Sequence, residues 1–188
     1  MKGQQSFFPA PDPVPLGSLP TGFQVVYADP PWRYQGATTD PGRQIEEHYP
    51  TMDLDDLKAM SVDRLAPDAV LFMWATSPKL TEALEVLAAW GFLYRTCAVW
   101  IKDQIGMGHW VRQRHELLLI GVRGKPPTPH PSIRKDSIIN APRREHSMKP
   151  ECVAEWIEAM FPQLGEKDRI ELFCRTPRKG WTVWGNEV

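Results

Sequence analysis

The chain has 188 residues, of which 42% are hydrophobic and 24% are charged, and its net charge is −1. This composition is typical of one globular domain with a core, and it argues against a disordered chain or a uniformly basic nucleic-acid binder. No stretch approaches the roughly 20 apolar residues of a membrane span, and residues 1–22 lack the pattern of a signal peptide. Cys97, Cys152 and Cys174 lie far apart and not at zinc-ligand spacing with any histidine. We therefore expect a cytoplasmic protein with free thiols.

Residues 1–22 contain five prolines and little periodicity, which predicts a flexible arm before a single domain at 23–188. Short β-rich apolar runs predict strands, and apolar residues at helical spacing with capping residues predict helices. In chain order these are a strand at 23–28, a helix at 51–60, a strand at 69–76, a helix at 77–92, strands at 94–102, 116–124 and 138–142, a helix at 149–161, and strands at 169–174 and 180–185. Thr51 and Ser77 are the expected caps of the first two helices, and Gly91 is expected to end the second. The polar segments between them are predicted loops, at 33–50, 103–115 and 125–137.

The alternation of strands and helices predicts an α/β fold with a mostly parallel sheet flanked by helices. Such sheets bind ligands at the carboxyl ends of their strands. Asp29 follows the first predicted strand directly and is therefore expected at the ligand-binding edge.

Positive charge is concentrated in one part of the chain. Residues 112–149 contain nine Lys and Arg but three acidic residues, so this segment has a charge of +6 and the remainder −7. The segment is suited to contact a polyanion, although polar loops with a chance imbalance would look the same.

The first strand ends in "DPPW", Asp29 to Trp32. Pro30 and Pro31 have no backbone N–H and a fixed φ, so the turn offers a carboxylate and carbonyls without competing donors. A planar amine such as the 6-amino group of adenine is the natural complement, with its hydrogens on Asp29 and on the Pro30 carbonyl. Trp32 would pack on the base, a contact worth about 1–3 kcal/mol. A strand-ending turn with a surface tryptophan is the simpler alternative.

"DPPW" after "VVYA" resembles the family of the catalytic subunit of the eukaryotic messenger-RNA adenosine methyltransferase, with its bacterial and phage relatives. Four further segments are similar to that family: "HYPTMDLDDL" at 48–57, "GHWVRQRHELLLIGVRG" at 108–124, "RREHSMKP" at 143–150 and "IELFCR...GWTVWGNE" at 170–187. The resemblance covers almost everything from Phe23 onward. It implies a Rossmann-like methyltransferase fold that uses S-adenosylmethionine, releases S-adenosylhomocysteine, and carries its catalytic motif before its cofactor motifs.

The resemblance also implies roles for individual residues. The expected catalytic residues are Asp29, Pro30, Pro31 and Trp32. The expected cofactor contacts are Asp29, Lys149, Phe173, Arg175, Asn186 and Glu187. The expected substrate contacts are Trp32, Tyr49, Glu116, Arg143, Arg144, His146 and Ser147.

These residue types suit those roles. A lysine such as Lys149 can bind a carboxylate, Glu187 can bind ribose hydroxyls, and the guanidinium groups of Arg143 and Arg144 pair well with phosphate. Each has a structural alternative: a helix-start lysine, a terminal residue or an ion-pair partner. His146 has no second metal ligand spaced with it, and a loop hydrogen bond is the simpler account.

The chain departs from the messenger-RNA enzyme in three respects. It has Met148 where that enzyme has histidine, its loop at 175–181 is two residues shorter, and it has no zinc motif.

Together these features predict an S-adenosylmethionine-dependent methyltransferase that modifies the 6-amino group of adenine in DNA, without a metal or a covalent enzyme intermediate. The alternatives are an RNA adenosine methyltransferase with the same site, and a catalytically silent nucleic-acid-binding protein. We expect a monomer or homodimer that needs no obligatory partner subunit.

Overall fold

The structure, a computed structural model, is a seven-stranded sheet with helices on both faces. It describes residues 16–34, 51–106, 108, 110–143 and 148–185. The strands are β1 (Phe23–Ala28), β2 (Leu65–Ala75), β3 (Leu93–Ile101), β4 (His115–Arg123), β5 (Ile138–Asn140), β6 (Arg169–Leu172) and β7 (Thr182–Trp184). The helices are α1 (Leu54–Ala59), α2 (Leu80–Ala89) and α3 (Cys152–Met160).

Six strands run in one direction and β4 runs against them. The spatial order is β5-β3-β4-β2-β1-β6-β7. β1 pairs in parallel with β2 and β6, β6 with β7, and β3 with β5, whereas β4 is antiparallel to both β2 and β3. The predicted α/β class and mostly parallel sheet are confirmed. The exception at β4 arises because β3 and β4 form a hairpin, which reverses the chain direction without a crossover helix.

Two apolar clusters cover the two faces of the sheet. α1 and α2 pack on one face, where Leu57 is fully buried, and α3 packs on the other, where Ile157 is fully buried. In β1, Val26 faces the first cluster and Val25 the second. A strand covered on both faces reads as a continuous apolar run, which is why β1 was recognisable in the sequence.

Each helix begins three residues after its predicted start. The side chains expected to cap α1 and α2 have other partners: Thr51 accepts a hydrogen bond from Arg33, and the Ser77 hydroxyl lies 2.9 Å from His115 Nε2. Gly91 follows α2 with φ +79°, which only glycine adopts readily, and ends that helix as predicted. In the described part of the chain, no helix has the length and apolar character needed to traverse a membrane.

Residues 16–22, predicted to belong to the arm, lie against the domain. Leu16 and Leu19 pack on the first apolar cluster, and the Gly22 N–H donates to the Arg64 carbonyl at 2.7 Å. Residues 1–15 lie outside the described residues. The division of the chain at residue 22 therefore stays a prediction.

Candidate active site

The carboxyl ends of the parallel strands meet at one edge of the sheet, and the described site candidates gather there. Asp29 follows β1, and its N–H donates to the carbonyl of the last β6 residue at 3.5 Å. Phe173 and Arg175 follow β6. Because β4 runs in the opposite direction, its second residue, Glu116, lies at this same edge. Lys149, just before α3, joins them by a hydrogen bond to Asp29.

The turn after β1 is held in one shape by backbone hydrogen bonds. The Trp32 N–H donates to the Pro30 carbonyl at 2.9 Å, and the Met52 N–H donates to the Pro31 carbonyl at 2.9 Å. The indole Nε1 of Trp32 donates to the Trp74 carbonyl at 3.1 Å. A carbonyl has two lone pairs, so the Pro30 oxygen can accept a further hydrogen bond from a ligand. The turn is therefore preorganised as an acceptor.

Trp32 and Tyr34 differ in how much ring they present. Trp32 is 7% exposed and belongs to the first apolar cluster, so little of its ring is open to a base and its packing role stays a prediction. Tyr34 is half-buried, and its hydroxyl lies 2.7 Å from Thr76 Oγ1. Lys79 Nζ lies 5.3 Å from the centre of the Tyr34 ring. Tyr34 was not among the predicted site residues, and its signal in the sequence is an aromatic residue two positions after "DPPW".

Four charged side chains alternate in sign across the site. Lys149 Nζ lies 2.6 Å from Asp29 Oδ2 and 3.5 Å from Glu116 Oε2. Lys102, which follows β3, forms a short ion pair with the other oxygen of Glu116. Lys149 thus binds Asp29, whereas the resemblance implied a cofactor contact for it. Both contacts are compatible, because an ammonium group has three donors.

Burial and ion pairing set the protonation of these groups. Burial raises the pKa of Asp29, although the charge of Lys149 opposes this. Burial alone would lower the pKa of Lys149, but Asp29 and Glu116 outweigh it and raise that pKa. Burial would likewise raise the pKa of Glu116, but Lys149 and Lys102 hold it below its ordinary value. Lys149 is therefore a cation and Glu116 an anion at neutral pH.

Two cavities meet at Asp29. The larger, of about 430 Å³, lies between β6, α3 and the segment 173–179, and the smaller, of about 200 Å³, lies at the turn after β1. Asp29, Lys149 and Arg175 line both cavities. The smaller one is also lined by Pro30, Pro31, Trp32, Tyr34, Trp74, Ala75, Thr76 and Glu116. A group bound in either cavity would therefore contact the same carboxylate.

The larger cavity has an acidic wall. Three glutamates of this wall lie at or in α3 (Glu151, Glu155 and Glu158), and Glu171 lies in β6. Arg178 contacts Glu171 at 3.4 Å and Glu151 at 3.8 Å, so it ties the segment after β6 to α3. Burial raises the pKa of Glu171. Arg178 was not among the predicted site residues, and the structure places it in the cavity wall.

The backbone after β6 is strained where it borders this cavity. Phe173 has φ +62°, a left-handed conformation that costs a non-glycine residue about 1–3 kcal/mol and is common at functional sites. Its ring packs edge-on against Trp184 with centroids 5.6 Å apart. Cys174 N–H donates to the Trp184 carbonyl at 3.0 Å. At Gly185 a Cβ would lie 2.3 Å from the Cys174 carbonyl oxygen, so this close approach requires glycine.

The remaining predicted residues are placed only in part. Arg143 is exposed after β5, and its N–H donates to Asp103 Oδ1 at 2.8 Å. Tyr49, Arg144, His146, Ser147, Asn186 and Glu187 lie outside the described residues. Among residues that are described, no group of three His, Cys, Asp or Glu side chains is arranged to hold a metal ion. The metal-free reaction stays a prediction.

Comparison with known proteins gives a consistent result. The MT-A70 family model matches residues 23–187. The type II methyltransferase M.MunI of Mycoplasma sp. is 35% identical over 184 residues, which cover 88% of this chain and 78% of that protein. The N(6)-adenosine-methyltransferase MT-A70-like of Arabidopsis thaliana and the N(6)-adenosine-methyltransferase catalytic subunit METTL3 of Homo sapiens are each 30% identical over 176 residues. Those matches cover 88% of this chain but 24% and 28% of the two proteins, so the chain spans about a quarter of their length. The predicted resemblance and the expectation of an adenine methyltransferase are confirmed at the level of the family.

Proposed function

The chain belongs to the MT-A70 family, and we propose that it transfers a methyl group from S-adenosylmethionine to the 6-amino group of adenine in DNA. The observation that carries this proposal is the position of the Asp29 carboxylate, which lines both cavities. A methyl donor in the larger cavity and a base in the smaller one would face each other across this group. Direct transfer of a methyl group requires the donor and the acceptor to lie next to each other in this way.

The larger cavity fits the proposed donor. Its volume of about 430 Å³ lies within the ~300–1,000 Å³ typical of small-molecule sites. Lys149 and Arg175 supply cations for a carboxylate, and the acidic wall supplies acceptors for an ammonium group and hydroxyls. Phe173 offers an apolar ring beside them. When bound, S-adenosylmethionine supplies a methyl group on a positively charged sulfur. Asn186 and Glu187 are proposed to complete the cofactor site.

The smaller cavity fits one flat base. At about 200 Å³ it is below the range of typical ligand pockets. The ring of Tyr34 forms one wall, and base–aromatic stacking is worth about 1–3 kcal/mol. Tyr49, Arg144, His146 and Ser147 are proposed as further contacts around the base. In duplex DNA the adenine would be flipped out, at a cost of a few kcal/mol.

Asp29 has two jobs in the proposed reaction. Lys149 donates to Oδ2, and Oδ1 is proposed to accept one amine hydrogen. The Pro30 carbonyl accepts the other. Holding both hydrogens out of the ring plane draws the nitrogen lone pair out of the ring and aims it at the methyl group. As the nitrogen bonds to the methyl carbon and the carbon–sulfur bond breaks, S-adenosylhomocysteine would leave and positive charge would develop on nitrogen, where the fixed negative charge of Asp29 stabilises it. The methylated amine would then lose one proton to water.

DNA is favoured over RNA by the pattern of relatives. The type II methyltransferase is matched over 78% of its length, whereas the N(6)-adenosine-methyltransferases are matched over about a quarter of theirs. The similarity to the latter makes RNA the second candidate, with the same site and the same roles for Asp29 and Pro30. The basic segment 112–149, with Arg143 and Arg144, is proposed to contact phosphates of either substrate. We propose that the protein acts as a monomer or a homodimer and needs no partner subunit. Its three free cysteines suit a reducing compartment such as the cytoplasm.

The test is a three-substrate assay. Purified protein is incubated with labelled S-adenosylmethionine and equal amounts of double-stranded DNA, single-stranded DNA and RNA, and nucleosides are identified by mass spectrometry. We expect methylated deoxyadenosine. Methylation of RNA alone would replace the substrate and keep the chemistry. Cofactor binding without methylation of any of the three would refute the proposed activity.

A further inference from the structure

Four charged side chains in the site form a continuous row, and the last of them, Lys102, has no role in the proposed reaction. It runs from Asp29 after β1 to Lys149 before α3, then to Glu116 in β4 and finally to Lys102 after β3. The four groups come from four separate parts of the chain. Lys102 touches neither Asp29 nor Lys149 in the contacts of the described residues, and it lines neither of the two cavities that meet at Asp29.

Lys102 is held in place from two sides. Its Nζ lies 4.9 Å from the centre of the Trp100 ring, and its backbone N–H donates to the Arg114 carbonyl at 2.9 Å. Trp100 is itself fixed, since its Nε1 donates to the Ala141 carbonyl at 2.8 Å. The Lys102 side chain is 21% exposed and that of Glu116 is 12% exposed. An ion pair this sheltered is screened much less than a surface pair.

The contacts of Lys149 are unequal. It lies 2.6 Å from Asp29 but 3.5 Å from Glu116, although both are carboxylates. Glu116 also forms an ion pair with Lys102, whereas Asp29 does not. We infer that Lys102 is a positioning residue: by holding Glu116, it leaves the ammonium group of Lys149 to Asp29. This inference rests on the proposed function, in which Asp29 works as an anion.

A charge count gives the direction of the effect. With Lys102 present, two cations balance two anions. Without it, Asp29 and Glu116 would share the single cation Lys149, so each carboxylate would keep only part of its stabilisation. The other charged groups around Asp29 are Arg175, which favours its ionised form, and Glu171, which opposes it. The ion pairs recorded for Glu116 are those with Lys102 and Lys149. Asp29 would then be protonated more easily.

The experiment uses Lys102→Met, Lys102→Arg and, as a matched control, Lys58→Met. Lys58 forms a comparable ion pair with Glu85 at 3.1 Å, but on the surface and away from the site. The single-turnover rate is measured across pH with saturating S-adenosylmethionine and substrate, and cofactor affinity is measured separately. For Lys102→Met we expect the acid limb of the rate to move to higher pH by about one unit, the lower end of the effect of an adjacent charge. Lys102→Arg should restore the wild-type profile, and Lys58→Met should leave it unchanged.

Two results would overturn the inference. The first is an unshifted profile with a raised KM for nucleic acid, which would make Lys102 a phosphate ligand. The second is a rate lowered equally at every pH. A second readout does not depend on turnover: the pKa of Asp29, measured by carboxyl carbon NMR and assigned with Asp29→Asn, should rise in Lys102→Met. If wild-type protein methylates nothing, the proposed function fails, and this titration still decides the role of Lys102.

Discussion

Replacing Asp29 with asparagine should slow methyl transfer by about 10²–10³-fold. The substitution keeps the shape of the side chain and one acceptor oxygen but removes its negative charge. That charge faces the position where positive charge develops on the amine, and losing one preorganised polar partner of this kind costs about 2.7–4 kcal/mol. It also removes the carboxylate that Lys149 contacts at 2.6 Å, so the ammonium group would move towards Glu116. The carboxylate-binding cations Lys149 and Arg175 remain, so cofactor binding should persist.

The assay is a single-turnover measurement with cofactor bound in advance, which isolates transfer from product release. Methylated deoxyadenosine is quantified against time, and the cofactor Kd is obtained by calorimetry. Asp63→Asn is the matched control, because Asp63 is an exposed carboxylate that contacts only Ser61 and Arg64 among described residues. A folded Asp29→Asn protein that transfers within about tenfold of the wild-type rate would refute the electrostatic role of Asp29.

Three further predictions concern pH, packing and the base. The transfer rate should fall on acidification, with a midpoint above the ordinary aspartate pKa of about 3.9. The reason is that burial raises the pKa of Asp29 and protonation removes its charge. A midpoint at or below the ordinary value would contradict this prediction. Gly185→Ala should lower the free energy of unfolding by about 1–3 kcal/mol, because its Cβ would lie 2.3 Å from the Cys174 carbonyl oxygen. Gly165→Ala is the control, since its Cβ would lie 4.0 Å from the nearest atom and should not change stability. Equal melting temperatures for the two variants would contradict the close packing at Gly185. Tyr34→Leu should weaken substrate binding by about 1–3 kcal/mol, which would appear as a higher KM for DNA. Tyr34→Phe keeps the ring and should keep the wild-type KM. Equal KM values for the wild-type protein and both variants would exclude Tyr34 from the base site.

The strands and the acceptor turn were predictable because their signals are local. β1 is apolar on both faces, and Asp29 follows it directly, so the rule for parallel sheets placed this carboxylate at the correct edge. The antiparallel direction of β4 was not derivable from periodicity, because a buried strand reads the same in either direction. It matters for the site, since only an antiparallel β4 brings Glu116 to the edge where Asp29 lies.

The contacts within the site were not predictable, because they join distant parts of the chain. Asp29 and Lys149 are 120 positions apart, and no spacing rule connects them. The burial of Trp32 depends on the Trp74 carbonyl, which becomes its partner only when β1 and β2 pair. In the sequence, Lys102 is only the charged last residue of the predicted strand at 94–102. That Glu116 is its partner follows from the register of the β3–β4 hairpin, which pairs Ile101 with His115.

The most direct test of the account is the fate of a nitrogen label. DNA containing adenine with ¹⁵N at the 6-amino position is methylated by the wild-type protein, and the product nucleoside is fragmented in a mass spectrometer. Direct transfer beside Asp29 predicts that the methyl group is attached to the labelled nitrogen. A methyl group on a ring nitrogen, or a 6-methylamino group that lacks the label, would show that the amine does not attack directly and would contradict the account.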